Sequence, residues 1–124
     1  MKIISTQKAP AAIGPYSQAT IHGDTMYCSG QIGLTPNGEW AAEDAKGQAE
    51  QALNNLDAVL QAAGTTRSHV LRATIFLASM DDFASVNEVY ADFFDKHRPA
   101  RQCVEAQRLP KDARVEISFI AALP

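Results

Sequence analysis

Val70-Leu71-Arg72-Ala73-Thr74-Ile75-Phe76-Leu77-Ala78 is the stretch on which the fold turns. Its β-branched and aromatic side chains favour extended backbone. Neither alternate set of side chains is wholly polar, so the stretch reads as a central strand covered over much of both faces. On either side of it the period changes to that of a helix. Before it, Ala49, Ala52, Leu53, Leu56, Val59, Leu60 and Ala63 recur at i, i+3, i+4 and i+7. Gln48, Glu50, Gln51, Asn54, Asn55, Asp57 and Gln61 fill the other side, which predicts an amphipathic helix from Ala45 with Gly64 at its C-terminal cap. After it, Asp81 or Asp82 is placed to cap a second helix whose buried stripe is Phe83, Val86, Tyr90, Phe93 and Phe94.

Farther out, turn residues punctuate short extended runs. Ala9-Pro10, Gly14-Pro15 and Pro36-Asn37-Gly38 break the chain, while His22-Gly23-Asp24 joins strands at Tyr16 to Ile21 and Thr25 to Cys28 into a hairpin. Past Arg98-Pro99, Arg101 to Ala106 and Val115 to Ile120 read as two successive strands joined through Leu109-Pro110-Lys111-Asp112-Ala113. The order is β-β-α-β-α-β-β, with a short extra strand at Lys2 to Ser5. This is an α+β chain, and two helices suffice to cover one face of its sheet but not both. The remaining face keeps apolar side chains, which predicts a homo-oligomer with binding clefts between subunits.

With 124 residues the chain is long enough for one core, so residues 1–124 are expected to form a single domain. The start, Met1-Lys2-Ile3-Ile4-Ser5, lacks the apolar core of a secretion signal, and no stretch is apolar for long enough to span a bilayer. The expected location is the cytoplasm, with Cys28 and Cys103 as reduced thiols. No Cys or His spacing signals a metal site. A formal net charge of −3 argues against a nucleic-acid partner, which would require a basic field. Arg98, Arg101, Arg108, Lys111 and Arg114 cluster locally but are balanced by Asp95, Glu105, Asp112 and Glu116.

The chemistry centres on Arg101 and Glu116. A guanidinium forks onto a carboxylate bidentately, and a desolvated carboxyl holds a water or moves a proton, so the pair suits a small carboxylic acid. The alternative is that Arg114, Glu116 and Ser118 are only the wet face of a strand. Ile120 and Ala122 continue the Glu116 face, and a wet face would not require them. The two strands are expected to pair as a hairpin, and whether Arg101 and Glu116 share a face depends on its register. Tyr16, after Gly14-Pro15, is either partial core or a phenol at a pocket rim. Ser29-Gly30 is either an ordinary turn or a nest of N–H groups aimed at an anion. Cys103 has no histidine beside it and reads as packing, with its backbone N–H close to whatever Arg101 binds. Asn87 is either solvated or turned toward a subunit boundary.

Taken together, Ile13-Gly14-Pro15-Tyr16-Ser17-Gln18-Ala19, Ser29-Gly30-Gln31-Ile32, Asn87-Glu88-Val89-Tyr90, Pro99 to Val104, Leu109-Pro110-Lys111 and Val115-Glu116-Ile117 occur in an order and spacing that resembles the Rid (YjgF/UK114) family, and within it the RidA branch. The resemblance spans nearly the whole chain. It implies a chorismate-mutase-like (YjgF-like) fold, a mixed β-sheet with two helices on one face. It implies a homotrimer with sites between subunits, and cofactor-free hydrolysis of 2-imino acids, released by pyridoxal-phosphate dehydratases, to 2-oxo acids and ammonia. By position, Arg101 resembles the residue that grips the substrate carboxylate and Glu116 the residue that manages water and protons. Tyr16, Ser29, Gly30 and the Cys103 backbone match the pocket lining, and Asn87 a position near the subunit boundary. Cys28, Gly33 and Ser118 depart from the usual pattern and bear on side-chain preference. Two rival functions are a non-enzymatic binder of 2-oxo acids and an RNA-directed translation inhibitor or endoribonuclease. The acidic charge opposes the RNA role.

Overall fold

The computed structural model describes residues 1–124. Its strands are β1 (Lys2–Ile4), β2 (Ala19–His22), β3 (Thr25–Cys28), β4 (Val70–Leu77), β5 (Ala100–Glu105) and β6 (Val115–Ala122). Two helices, α1 (Ala45–Ala62) and α2 (Phe83–Phe94), connect them. One six-stranded sheet has the order β1-β2-β3-β6-β4-β5. All its neighbours are antiparallel except β4 and β5, which α2 joins by a crossover. No helix is long and apolar enough to cross a membrane.

Alternation along β6 sets the layers. Val115, Ile117, Phe119 and Ala121 are buried beneath the helices, whereas Glu116, Ser118 and Ile120 lie half-buried on the opposite face. Helix α1 contributes Ala49, Ala52, Leu53, Leu56, Val59 and Leu60 to the core, and α2 contributes Val86, Val89, Tyr90, Phe93 and Phe94. Each fully buried Leu, Ile or Phe stabilises the fold by about 1.5–3 kcal/mol, so this one face supplies most of the driving force. The other face stays open and carries Tyr27, Val104 and Ile3, which are 47%, 42% and 60% exposed.

The expected hairpin at Thr25 forms, with His22 opposite Thr25 and Gly23 at φ 60°. The N-terminal strand also forms, but β2 begins at Ala19, so Tyr16 lies in the loop before it. Three expectations are corrected. Strands β5 and β6 do not pair, because β4 is inserted between them and takes β6 on one side and β5 on the other. Neither Asp81 nor Asp82 caps α2 with its side chain. Instead Ser79 accepts from the Asp81 N–H and starts a short 3-10 turn at Met80–Asp82 that runs into the helix. Gln48 and Asn55, on the polar side of α1, are buried, because the 31–41 loop folds over them. Asn55 Nδ2 donates to the Leu34 and Ile32 carbonyls, and the Gln48 amide donates to Ala42 and accepts from the Arg114 N–H. Buried amides are accommodated when their bonds are met in this way.

Candidate active site

Glu116 lies on the open face of β6, at the floor of a cavity of about 700 Å³. The segment after β3 is laid against it by a reciprocal pair of backbone bonds, from Gln31 N–H to Ile117 C=O at 2.8 Å and from Ile117 N–H to Gln31 C=O at 3.0 Å. This brings Gly30 so close that a Cβ there would sit 2.9 Å from Glu116 Cδ. Glycine at this position is a matter of space beside the carboxyl, not of backbone angle. Burial raises the Glu116 pKa above its ordinary value of 4.5. A carboxyl in that condition is a stronger base when ionised and keeps a larger protonated fraction near neutrality.

Ser29 and Tyr16 line the same cavity. Of the nest alternative at Ser29-Gly30, only the Gly30 N–H remains without a partner in the chain. The Ser29 N–H donates to Gln18 C=O at 2.9 Å, the Gln31 N–H is used by Ile117, and Ser29 Oγ donates to Ser17 C=O. Ser29 therefore offers the cavity oxygen lone pairs rather than a donor. Tyr16 is 54% exposed at the rim, after a tight turn in which its N–H donates to Gly14 C=O. Gln18 organises this wall, which sequence reading overlooked. Its buried amide accepts from Thr6 N–H at 2.7 Å and donates to the Thr6 and Pro10 carbonyls at 3.0 and 2.8 Å. A glutamine flanked by small residues at a strand start is the only trace of this in the sequence. Lys111 completes the ionisable groups lining the cavity. It sits in a loop where both it and Asp112 have left-handed backbone, at φ 55° and 56°.

Arg101 is elsewhere. Its partner across β4 is Ala73, and Ala73 is opposite Phe119, so Arg101 belongs to the helix-covered side of the sheet. Glu116, opposite Phe76, belongs to the open side. Two strands of lateral offset and three residues of axial offset separate their Cα atoms by about 14 Å. Arg101 reaches past the sheet edge to α2, where it donates to Asn87 Oδ1 and lies over the Tyr90 ring. It lines a second, smaller cavity of about 280 Å³ with Asn87, Tyr90 and Pro99. Cys103 is half-buried on the same side. Burial pushes its thiol pKa up, against the lowering effect of Arg101, so it is a poor thiolate. The seven candidate residues thus fall into two separate groups on the chain: Tyr16, Ser29, Gly30 and Glu116 in one, and Asn87, Arg101 and Cys103 in the other.

The chain is similar to known proteins over nearly its whole length. The profile of the family described as Endoribonuclease L-PSP matches residues 6–123. The chain is 48% identical over 121 residues to the 2-iminobutanoate/2-iminopropanoate deaminase of Bos taurus, covering 97% of this chain and 88% of that one. It is 46% identical over 123 residues to the enzyme of the same name from Salmonella typhimurium, covering 97% and 96%. The crystal structure of E. coli TdcF with bound serine superposes with a TM-score of 0.95 at 44% identity, covering 100% of both chains. The fold is that of a small α+β protein with two helices on one face of a six-stranded sheet. The chain belongs to the Rid (YjgF-like) family, the same family that bears the endoribonuclease L-PSP description.

Proposed function

We propose that this chain is a deaminase of reactive 2-imino acids, acting as a homotrimer whose sites each combine the Arg101 half of one subunit with the Glu116 half of the next. One observation carries this reading. Arg101 and Glu116 are on opposite faces of their own sheet, so a ligand of a few ångströms touches both only if they come from different chains. The exposed apolar side chains of the open face give the subunits something to bury. Named deaminases related over nearly the full chain support the chemistry. The serine bound to TdcF is likewise a small molecule with a carboxylate beside its reactive carbon.

Residues 1–124 act as one domain, in the cytoplasm beside the pyridoxal-phosphate dehydratases that release the substrate. Arg101 takes the substrate carboxylate in its fork and so fixes the C=N carbon. Glu116 of the partner subunit removes a proton from a water as that water adds to the carbon. That proton returns to nitrogen and gives the carbinolamine; Glu116 then carries the carbinol hydroxyl proton to the same nitrogen as the C=O bond forms and the C–N bond breaks, so that ammonia leaves a 2-oxo acid. Tyr16 at the rim donates to the developing oxygen charge, and Ser29 accepts from the attacking water. Imines hydrolyse unaided, so positioning and one proton-transfer group suffice for moderate acceleration.

The test couples a threonine dehydratase to the protein and times 2-oxobutanoate release with an imine-trapping amine present. Release should accelerate and the trapped fraction should fall. An unchanged time course together with tight 2-oxo-acid binding would leave a metabolite-binding protein instead. RNA cleavage that weakens steeply with salt would favour the role in the family's description.

A further inference from the structure

Arg101 is fixed in place without being neutralised. Its guanidinium donates to Asn87 Oδ1 and lies 4.9 Å from the centroid of the Tyr90 ring and 5.6 Å from that of Phe83. The chain's three ion pairs, Lys46 with Glu88, Arg67 with Asp57 and Arg108 with Asp112, leave it without a carboxylate. Phe83, Asn87 and Tyr90 stand at i, i+4 and i+7 of α2, so a single helical stripe makes all three contacts. A carboxylate on that stripe would hold the guanidinium more strongly but would cancel its charge. An amide oxygen and two aromatic faces restrict its orientation and leave the charge available. Tyr90 is 7% exposed and its hydroxyl has no hydrogen-bond partner in the chain, a cost that its ring contact with Arg101 helps to offset.

We infer that Phe83, Asn87 and Tyr90 are positioning residues that present Arg101 as a pre-aligned cation uncompensated within its own chain, and that the neutrality of residue 87 sets the site's preference for anionic ligands. Asn87 thus acts through Arg101 rather than on substrate. The identity of the anion as a 2-oxo or 2-imino acid rests on the deaminase reading; the cradle itself does not.

Two measurements separate these. Relaxation of the Arg101 Nε–H in the intact protein reports guanidinium order. It should be ordered in wild type and Tyr90→Phe, which keeps the ring, and mobile in Asn87→Ala and Tyr90→Leu. Calorimetry with 2-oxobutanoate and with its uncharged amide reports the effect of charge. Asn87→Asp keeps the acceptor and the order but competes for the fork, so 2-oxobutanoate should bind roughly ten-fold or more weakly, and more weakly than in Asn87→Ala, while the amide is little changed. If wild type binds no 2-oxo acid, the effect of charge at residue 87 is overturned, relaxation decides the cradle, and the coupled assay decides the deaminase reading. Equal order of Arg101 in wild type and Asn87→Ala, or wild-type 2-oxobutanoate affinity in Asn87→Asp, would overturn the inference.

Discussion

Gly30 and Glu116 meet at the scale of single atoms, and their contact separates catalysis from stability. A methyl group at residue 30 would press on Glu116 Cδ, the mobile end of a side chain and not backbone. Gly30→Ala should therefore fold within about 1 kcal/mol of wild type by chemical denaturation. The displaced carboxyl should nonetheless lower kcat by at least about ten-fold. Glu116 also sets a pH dependence. Burial raises its pKa, and in the proposed mechanism the ionised form accepts the proton from water, so activity should be lost as pH falls through that raised value. In the proposed substrate complex the substrate carboxylate would occupy Arg101, which then does not reverse this. The acid limb of kcat should lie above pH 4.5, and Glu116→Gln should depress kcat and abolish that limb while 2-oxo-acid binding stays near wild type. A pH–rate profile of both proteins measures it.

Elements differ in how openly the sequence announces them. Helices α1 and α2 are legible because their buried faces follow the helical period over many residues, and strand β4 because its β-branched and aromatic run favours extended backbone. The pairing of β5 is not legible. The 106–114 connection is long enough to return beside β5 or to pass β4, and packing across the sheet decides between them. That choice also fixes the faces of Arg101 and Glu116, which is why both residues stand out in sequence while their separation does not. The burial of Gln48 and Asn55 is hidden for a related reason: a loop from elsewhere in the chain covers them, and helical periodicity sees only the helix. The same loop offers an element-scale check. A Cβ on Gly33 would lie 2.6 Å from Gln48 Cα, which is backbone and cannot swing aside. Gly33→Ala should cost about 1–3 kcal/mol in denaturation, in contrast to the tolerance expected at Gly30.

For the whole molecule, the proposed function requires that no chain hold a complete site. Sedimentation should report a stable trimer at micromolar concentration, and a well-folded active monomer would contradict the shared site. Subunit mixing tests the claim most directly. Arg101→Ala and Glu116→Gln are each prepared alone, then unfolded together in equal amounts and reassembled. In a shared-site trimer, a cleft is intact when its Arg101 comes from a Glu116→Gln chain and its Glu116 from an Arg101→Ala chain. Random assembly produces this in about one cleft in four. Deaminase activity should therefore rise from near zero in either variant to about a quarter of wild type in the mixture. A mixture that stays as inactive as its parents, while sedimenting as mixed trimers, would place Arg101 and Glu116 in one chain's site and contradict the account.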